Sequence, residues 1–202
     1  MIPRFSIVMT VFETLEFLPR ALACVMDQQY QEWELLVISD GPASSERYDP
    51  RKMLRPLRKT FPGRRIEFWE LPRREGCWGN PARQYGWQQA RGNYVCWVNH
   101  DNLIFPGYLQ GHAVNIAAQP GCASVVDIHL WQQERFVGRY PRGYRKGKID
   151  LLCYALPLER VQETDAFGER MHRVYAADGM VFEECAAGLA IQHRHEALGV
   201  HF

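Results

Sequence analysis

Two apolar segments that each break off at an aspartate constrain this chain most. Residues 94–98, Tyr-Val-Cys-Trp-Val, form a β-rich run that ends abruptly in Asn99-His100-Asp101-Asn102. Residues 35–38, Leu-Leu-Val-Ile, run in the same manner into Ser39-Asp40-Gly41. Continuous apolar runs of this kind read as strands buried on both faces, as parallel sheets require. In open α/β sheets ligands bind in the crevice outside the carboxyl ends of the strands. Two strands ending in Asp on one sheet edge therefore point to a site, with a carboxylate placed for catalysis or for a metal.

The 202 residues, 47% hydrophobic and 12% aromatic, supply a full core for one domain. A formal net charge of +1 gives no reason to invoke nucleic acid or an anionic membrane as a partner. Cys24, Cys77, Cys96, Cys122, Cys153 and Cys185 form no CxxC pair, and several lie in apolar runs. Buried, reduced thiols and a reducing compartment are the expectation. No stretch reaches the length of a membrane span, and the N-terminal apolar run is too short and too strand-like for a signal peptide. A cytoplasmic globular domain follows as the expectation.

Residues 5–11 read as a buried strand. Leu15, Leu18, Leu22, Val25 and Met26 share one face at helical spacing, and Pro19 has to sit in the first turn, which starts that helix near Glu16. A strand at 33–39 follows, and strand-helix-strand order implies a parallel pair with a right-handed crossover. Residues 42–65 are polar, basic and Pro-containing, an irregular helix between loops. A short strand at 66–71, a Gly-rich turn at 76–81 and a helix at 82–90 lead to the strand at 94–98. A helix at 108–118, a strand at 123–131 and a basic hairpin or loop at 133–148 come next, with 149–156 pairing back. A helix over 179–187 and a short strand entering His193 close the chain. This alternation predicts a single three-layer α/β/α domain with a mostly parallel central sheet.

No GxGxxG follows the first strand, and Gly76-Cys77-Trp78-Gly79 lacks P-loop spacing, so a Gly-rich phosphate loop is not the reading to favour. Asp40, before Gly41-Pro42, reads either as a turn residue bonding the backbone or as a carboxylate that accepts from a nucleobase N–H. Asp101 reads as a turn or helix cap, or as a ligand for a hard divalent cation. Mg²⁺ takes only one or two carboxylates beside substrate phosphates, so a single Asp suffices. Trp97 and Trp131 read as core; Trp78, inside a loop, is the best candidate for a carbohydrate platform.

The segment FSIVMTVFETLEFLPRALACVMDQQYQEWELLVISDG, residues 5–41, resembles the opening of family-2 glycosyltransferases of the GT-A fold. The family pattern is a strand, a small polar turn, a helix ending in Ser-x-x-x-Gln, then Tyr-x-x-(Trp/Phe)-Glu before a strand ending in Asp-Asp-Gly. Gln29-Tyr30 and Trp33-Glu34-Leu35 carry the match. Gly79-Asn80-Pro81-Ala82-Arg83-Gln84 resembles the Gly/Ala-Arg-Asn segment. Gly92-Asn93-Tyr94 through Pro106-Gly107-Tyr108-Leu109 resembles the stretch that contains DxD. The first half of the chain matches closely and the second half only loosely.

The resemblance implies one Rossmann-like GT-A domain over residues 1–202, with 1–107 the nucleotide-sugar-binding half and 108–202 the acceptor-binding half. It implies an inverting glycosyltransferase moving a sugar from a nucleotide-sugar, usually a UDP-sugar, to a hydroxyl acceptor, with a divalent metal (Mn²⁺ or Mg²⁺). By position, Thr10 and Phe12 fall in the base pocket, Asp40 at the uracil edge, Arg83 near the nucleotide and Asp101 at the metal on the diphosphate. A neutralised diphosphate is a better leaving group.

The pattern departs from the family at two points. Ser39 replaces the first Asp of Asp-Asp-Gly, and DxD becomes Asn99-His100-Asp101. Asn99 loses a charged ligand but keeps a carbonyl oxygen able to bind metal, or a ribose of the nucleotide-sugar. Inverting transfer also needs a base. The resemblance puts it at Asp178, where a helix N-cap is the competing reading, with Asp165 in reserve. Some relatives ligate metal through a late His, which makes His195 or His193 a partner for Asp101. His-x-His on a strand points both rings to one face. The basic stretches at 47–65 and 135–148 read as solvated faces, or, in the second, as a loop using Arg139, Arg142 or Arg145 over a diphosphate. Ser39 and Asn99 also motivate a competing class, a catalytically degenerate nucleotide-sugar-binding module of the same fold.

Overall fold

The computed structural model describes residues 4–42, 49–133 and 135–202; residues 43–48, with Arg47 of the first basic stretch, lie outside them. Strands β1 (Phe5–Val11) and β2 (Trp33–Ser39) are buried along their whole length, as their unbroken apolar sequence requires. They pair in parallel, Phe5 opposite Trp33 and Val11 opposite Ser39. The connection is a 3₁₀ turn (Leu15–Phe17) followed by helix α1 (Leu18–Met26). Helical geometry thus starts as 3₁₀ and becomes α one residue before Pro19, whose ring excludes an α-helical carbonyl four residues upstream.

Helix α2 (Pro50–Thr60) starts behind Asp49, whose side chain accepts the Arg51 amide at 2.9 Å. Strand β3 (Ile66–Glu70) adds in parallel to β2, helix α3 (Asn80–Gln88) crosses back, and β4 (Tyr94–Trp97) adds in parallel to β1. The second half contributes β5 (Leu103–Ile104), α4 (Tyr108–Ala118), β6 (Ala123–Gln132), β7 (Arg135–Tyr140), β8 (Tyr154–Pro157), α5 (Leu158–Glu163), α6 (Glu169–His172), α7 (Ala177–Cys185) and β9 (Ile191–His201). One sheet results, in the order β3-β2-β1-β4-β8-β6-β9-β5, with β7 on β6. Its longest ladders, β1 with β2 and β6 with β9, are parallel; β8 inserts antiparallel between β4 and β6. The final strand is far longer than the short one expected before His193.

Alternation along β1 shows the layering. Val8 faces α3 so closely that a Cβ on Gly86 would overlap its methyl group, while Phe5, of opposite parity, lies 6.3 Å from the His112 ring of α4. Helices α3 and α4 therefore cover opposite faces, a three-layer α/β/α sandwich. Trp97 is core, as expected, edge-on to Tyr154 and Phe167. Among the described residues no helix is long and apolar enough to cross a membrane.

At the amino ends of the parallel strands a buried charge ties the sheet together. Glu34 accepts Ser6 Oγ at 2.6 Å, Arg65 Nη1 at 2.9 Å, and the amides of Arg91 and Gly92 at 2.6 and 3.0 Å. Burial alone would raise this carboxyl; the hydrogen bonds from Ser6 and the Arg91 amide, with Arg65, outweigh it and hold Glu34 below the ordinary value. Removing one partner of a buried pair strands the other, at a cost of about 3–5 kcal/mol. Glu34→Ala is expected to lose that much in urea unfolding. Because the folded-state pKa is depressed, the wild-type contribution is complete above the unfolded pKa and fades as pH falls through the folded one. The stability difference between wild type and variant should therefore shrink in acid.

Candidate functional site

Strands β1, β2 and β4 lie side by side and run the same way, so Thr10, Asp40 and the Asn99-His100-Asp101 cluster emerge at one sheet edge. There a cleft of about 990 Å³ opens, lined by all five and also by Phe12, Arg83, Asp150, Asp178 and His201. His193 and His195, both expected as metal ligands, and Asp165, the reserve base, are missing from this lining.

The middle residue of the polar cluster turns inward. His100 Nδ1 lies 3.1 Å from the Thr10 carbonyl and Nε2 3.0 Å from Thr14 Oγ1, pinning the turn after β1. Asn99 Oδ1 accepts from Thr10 Oγ1 at 2.8 Å and from Arg83 Nη2 at 3.2 Å. Its carbonyl oxygen, expected as a ligand group, is thus engaged in holding two other cleft residues. Arg83, only 6% exposed, also donates from Nη1 to the Trp78 carbonyl at 2.7 Å and to Asn80 Oδ1 at 2.8 Å.

Asp40 does bond backbone amides, but those of a distant loop rather than of its own turn. Its two oxygens accept the amides of Glu75 and Gly76 at 2.8 and 2.9 Å, which fixes the loop that forms the next wall. Gly41 beside it has φ +95°, and a Cβ there would stand 2.9 Å from the Arg74 amide nitrogen. The Arg74 guanidinium in turn covers the Phe12 ring, 4.1 Å from its centroid. Phe12 thereby gains a cationic neighbour at the mouth of the cleft.

The floor is acidic. Asp101 Oδ1 is buried with no hydrogen-bond partner among the described residues. Asp150 Oδ2 lies 3.2 Å from His201 Nδ1 at the end of β9. Burial alone would raise Asp150, but His201 beside it holds it below the usual carboxylate value. Conversely, burial would lower His201, and Asp150 raises it. Asp178, in the first turn of α7, is pushed up to about 6, chiefly by burial, with Asp150 adding to the rise and Arg83 opposing it. The N-cap position belongs to Ala176 rather than to Asp178, and no side chain caps the helix there. A buried carboxylate oxygen without a donor, close to a histidine, fits a hard divalent cation, and Asp101 and His201 are the groups available to hold one.

Other expectations land elsewhere. His193 and His195 meet Asp127 of β6, at 2.7 and 3.8 Å, rather than the cleft. Asp165 accepts Gln84 Nε2 at 2.9 Å and is absent from the cleft lining. Strand β7 contributes Tyr140 and the loop after it Gly147 to the lining, whereas Arg139, Arg142 and Arg145 are absent from it. Trp78, 56% exposed with φ +55°, lines the cleft beside Tyr175, their ring centroids 5.5 Å apart. Asp150 escaped the sequence reading, although an Asp directly before an apolar turn is a cap signal; its Oδ1 accepts the Leu152 amide at 2.9 Å. No local signal marks Tyr175 or Arg74.

Solved structures share this architecture. S. aureus TarS, residues 1–349, in complex with UDP superposes at a TM-score of 0.77 with 14% identity, over 98% of this chain and 60% of that one. The mannosyltransferase PcManGT from Pyrobaculum calidifontis, in complex with GDP-Man and Mn²⁺, gives 0.73 with 17% identity, over 100% and 57%. At these identities the likeness establishes the GT-A fold. An uncharacterized glycosyltransferase of Rickettsia bellii is 25% identical over 114 residues, 56% of this chain and 15% of that protein. A second, from Rickettsia typhi, shows the same identity over the same share of this chain and 32% of its own length. The chain thus spans a minor part of these curated relatives. The family model described as glycosyl transferase family 2 matches residues 6–174, and the chain belongs to that family.

Proposed function

We propose that the cleft binds a nucleotide-sugar, a UDP-sugar first among candidates, and transfers its sugar with inversion to a hydroxyl acceptor. The observation that carries this reading is the convergence of Asp40, Asp101 and Asp178 on one cleft of a family-2 chain. Structural neighbours held with UDP, UDP-GlcNAc and GDP-Man support a nucleotide-sugar donor. In this reading Thr10, Phe12 and Asp40 frame the base, and Arg83 with Asn99 stiffens the wall along the nucleotide. Asp101 and His201 would hold Mn²⁺ or Mg²⁺, and a divalent cation there supplies charge neutralisation for the departing diphosphate. His201 replaces His195 in this role because only His201 lines the cleft.

Asp178 acts as the base. The acceptor oxygen attacks the anomeric carbon as the bond to the diphosphate breaks, the electron pair leaving on the nucleoside diphosphate and the hydroxyl proton passing to Asp178. A carboxylate raised to about 6 is ionised at neutral pH yet a better base than an exposed one. Trp78 and Tyr175 at the rim offer ring faces to a sugar acceptor. A cytoplasmic setting belongs to the same proposal, supported by the buried, unpaired thiols of Cys96, Cys122, Cys153 and Cys185. One observation favours the degenerate-module reading: the Asn99 oxygen that could replace a lost carboxylate ligand is already engaged by Thr10 and Arg83.

Calorimetric titration of UDP, against GDP, with and without Mn²⁺ separates the two readings. Binding that needs Mn²⁺ and is lost in Asp101→Ala is the expected result, whereas metal-independent binding would favour the module. Asp178→Asn is expected to leave UDP affinity unchanged while reducing transfer by about 10²–10⁴-fold, the range for a lost general base. Wild-type turnover should fall as pH drops through about 6, where Asp178 takes up its proton. Unchanged turnover in Asp178→Asn would remove Asp178 from the mechanism.

A further inference from the structure

Outside the cleft, three ligating side chains converge on the sheet. His193 Nε2 lies 2.7 Å from Asp127 Oδ1, and His195 Nδ1 lies 3.8 Å from the same oxygen. One ligand atom from each residue falls within 4.8 Å of the other two. The strand is shaped at this point: Val126 pairs with Arg194 but Asp127 with Ala197, so β9 bulges at His195 and Glu196. Bulges re-aim side chains and recur beside functional sites.

A simple carboxylate–imidazole pair accounts for His193 but not for His195, which crowds the same oxygen. The two imidazole centroids stand 3.9 Å apart. At 3.8 Å His195 Nδ1 is beyond hydrogen-bond reach of the oxygen that His193 already occupies, so the second imidazole converges on Asp127 without a bond of its own. A cation between them would engage all three, taking one lone pair from each group. His193 also has an outer contact of the kind metal-bound histidines make: its Nδ1 is 2.8 Å from the Tyr144 hydroxyl, an oxygen that can accept the Nδ1–H and leave Nε2 free for a metal.

We propose that Asp127, His193 and His195 form a transition-metal site, separate from the cleft, that takes a borderline ion such as Zn²⁺ with water in the fourth position. With metal–ligand bonds of about 2.0–2.1 Å, a tetrahedral ion places its donor atoms about 3.3 Å apart. The observed 2.7 and 3.8 Å bracket that value, and the exposed His195 ring is free to close the difference. A two-imidazole, one-carboxylate set suits Zn²⁺, Co²⁺ or Ni²⁺ over the harder Mg²⁺. A metal here joins β6 and β9 to Tyr144, in the loop whose Gly147 lines the cleft.

The test is a Zn²⁺ titration of the whole chain by calorimetry, without nucleotide, with Co²⁺ absorption reporting the coordination geometry. Wild type is expected to take up one equivalent and to give a tetrahedral Co²⁺ spectrum. His195→Ala, at a side chain 77% exposed, keeps the fold, which circular dichroism verifies, and should weaken Zn²⁺ by more than about 100-fold. Tyr144→Phe should weaken it by about 10-fold, the lower range for an outer partner. Asp101→Ala, which removes the proposed cleft ligand, should leave the His195-dependent equivalent unchanged. Absence of uptake by wild type, a His195→Ala curve matching wild type, or uptake abolished by Asp101→Ala would each overturn the proposal.

Discussion

The cleft hangs on one buried cation. A guanidinium withdrawn from water costs several kcal/mol unless its donors are met, so the groups that meet Arg83 are held where it needs them. They are the Trp78 carbonyl, Asn80 Oδ1 and Asn99 Oδ1, which belong to the Gly-rich loop, the start of α3 and the end of β4. Asn99 passes the constraint to Thr10 at the end of β1. Asn80 passes it to the second half of the chain, its amide nitrogen donating to the carbonyls of Met171, His172 and Val174 at 3.1–3.3 Å. That segment leads directly into α7 and Asp178. A single hydrogen-bonded chain thus runs from the first strand to the segment that precedes the proposed base, across both halves of the domain.

The same buried charge lowers both Asp150 and Asp178, and their other neighbours set them apart. His201 holds Asp150 below the ordinary value, whereas Asp178, with no ion pair among the described residues, is raised by burial. Neighbouring acids whose environments push their proton affinities apart are the pattern from which acid–base roles are assigned. Asp101 differs again: one buried oxygen has no donor among the described residues, a condition that favours a cation.

The sheet edge was legible because it is written in short-range pattern. Apolar runs broken by Asp40 and Asp101, and a helix opened by Pro19, report local physics. The helix at Tyr108–Ala118 appears with the bounds read from its apolar spacing. Where readings slipped, a distant contact decided. Asp178 looks like a cap, but α7 begins at Ala177 and leaves it one position inside the helix. His-x-His looks like a partner for Asp101, yet the parallel pairing of β9 with β6 carries it to Asp127, and the residue that reaches the cleft is His201. Tyr175 carried no motif, and the cap signal at Asp150 said nothing of the cleft, since what places both there is the packing of the second half.

The sequence alone determined the fold class, the family and the sheet edge where the cleft opens. The family followed from the resemblance of several segments, whereas the fold class and the sheet edge depend on periodicity and on residue types that must follow a buried strand, both local properties of the chain. Tertiary structure alone decided which histidine faces which aspartate, that Asn99 holds Thr10 and Arg83, and how the acids diverge in proton affinity. Those depend on burial and on distances between residues far apart in sequence, which appear only when β8 joins β4 and β9 joins β6 in the sheet.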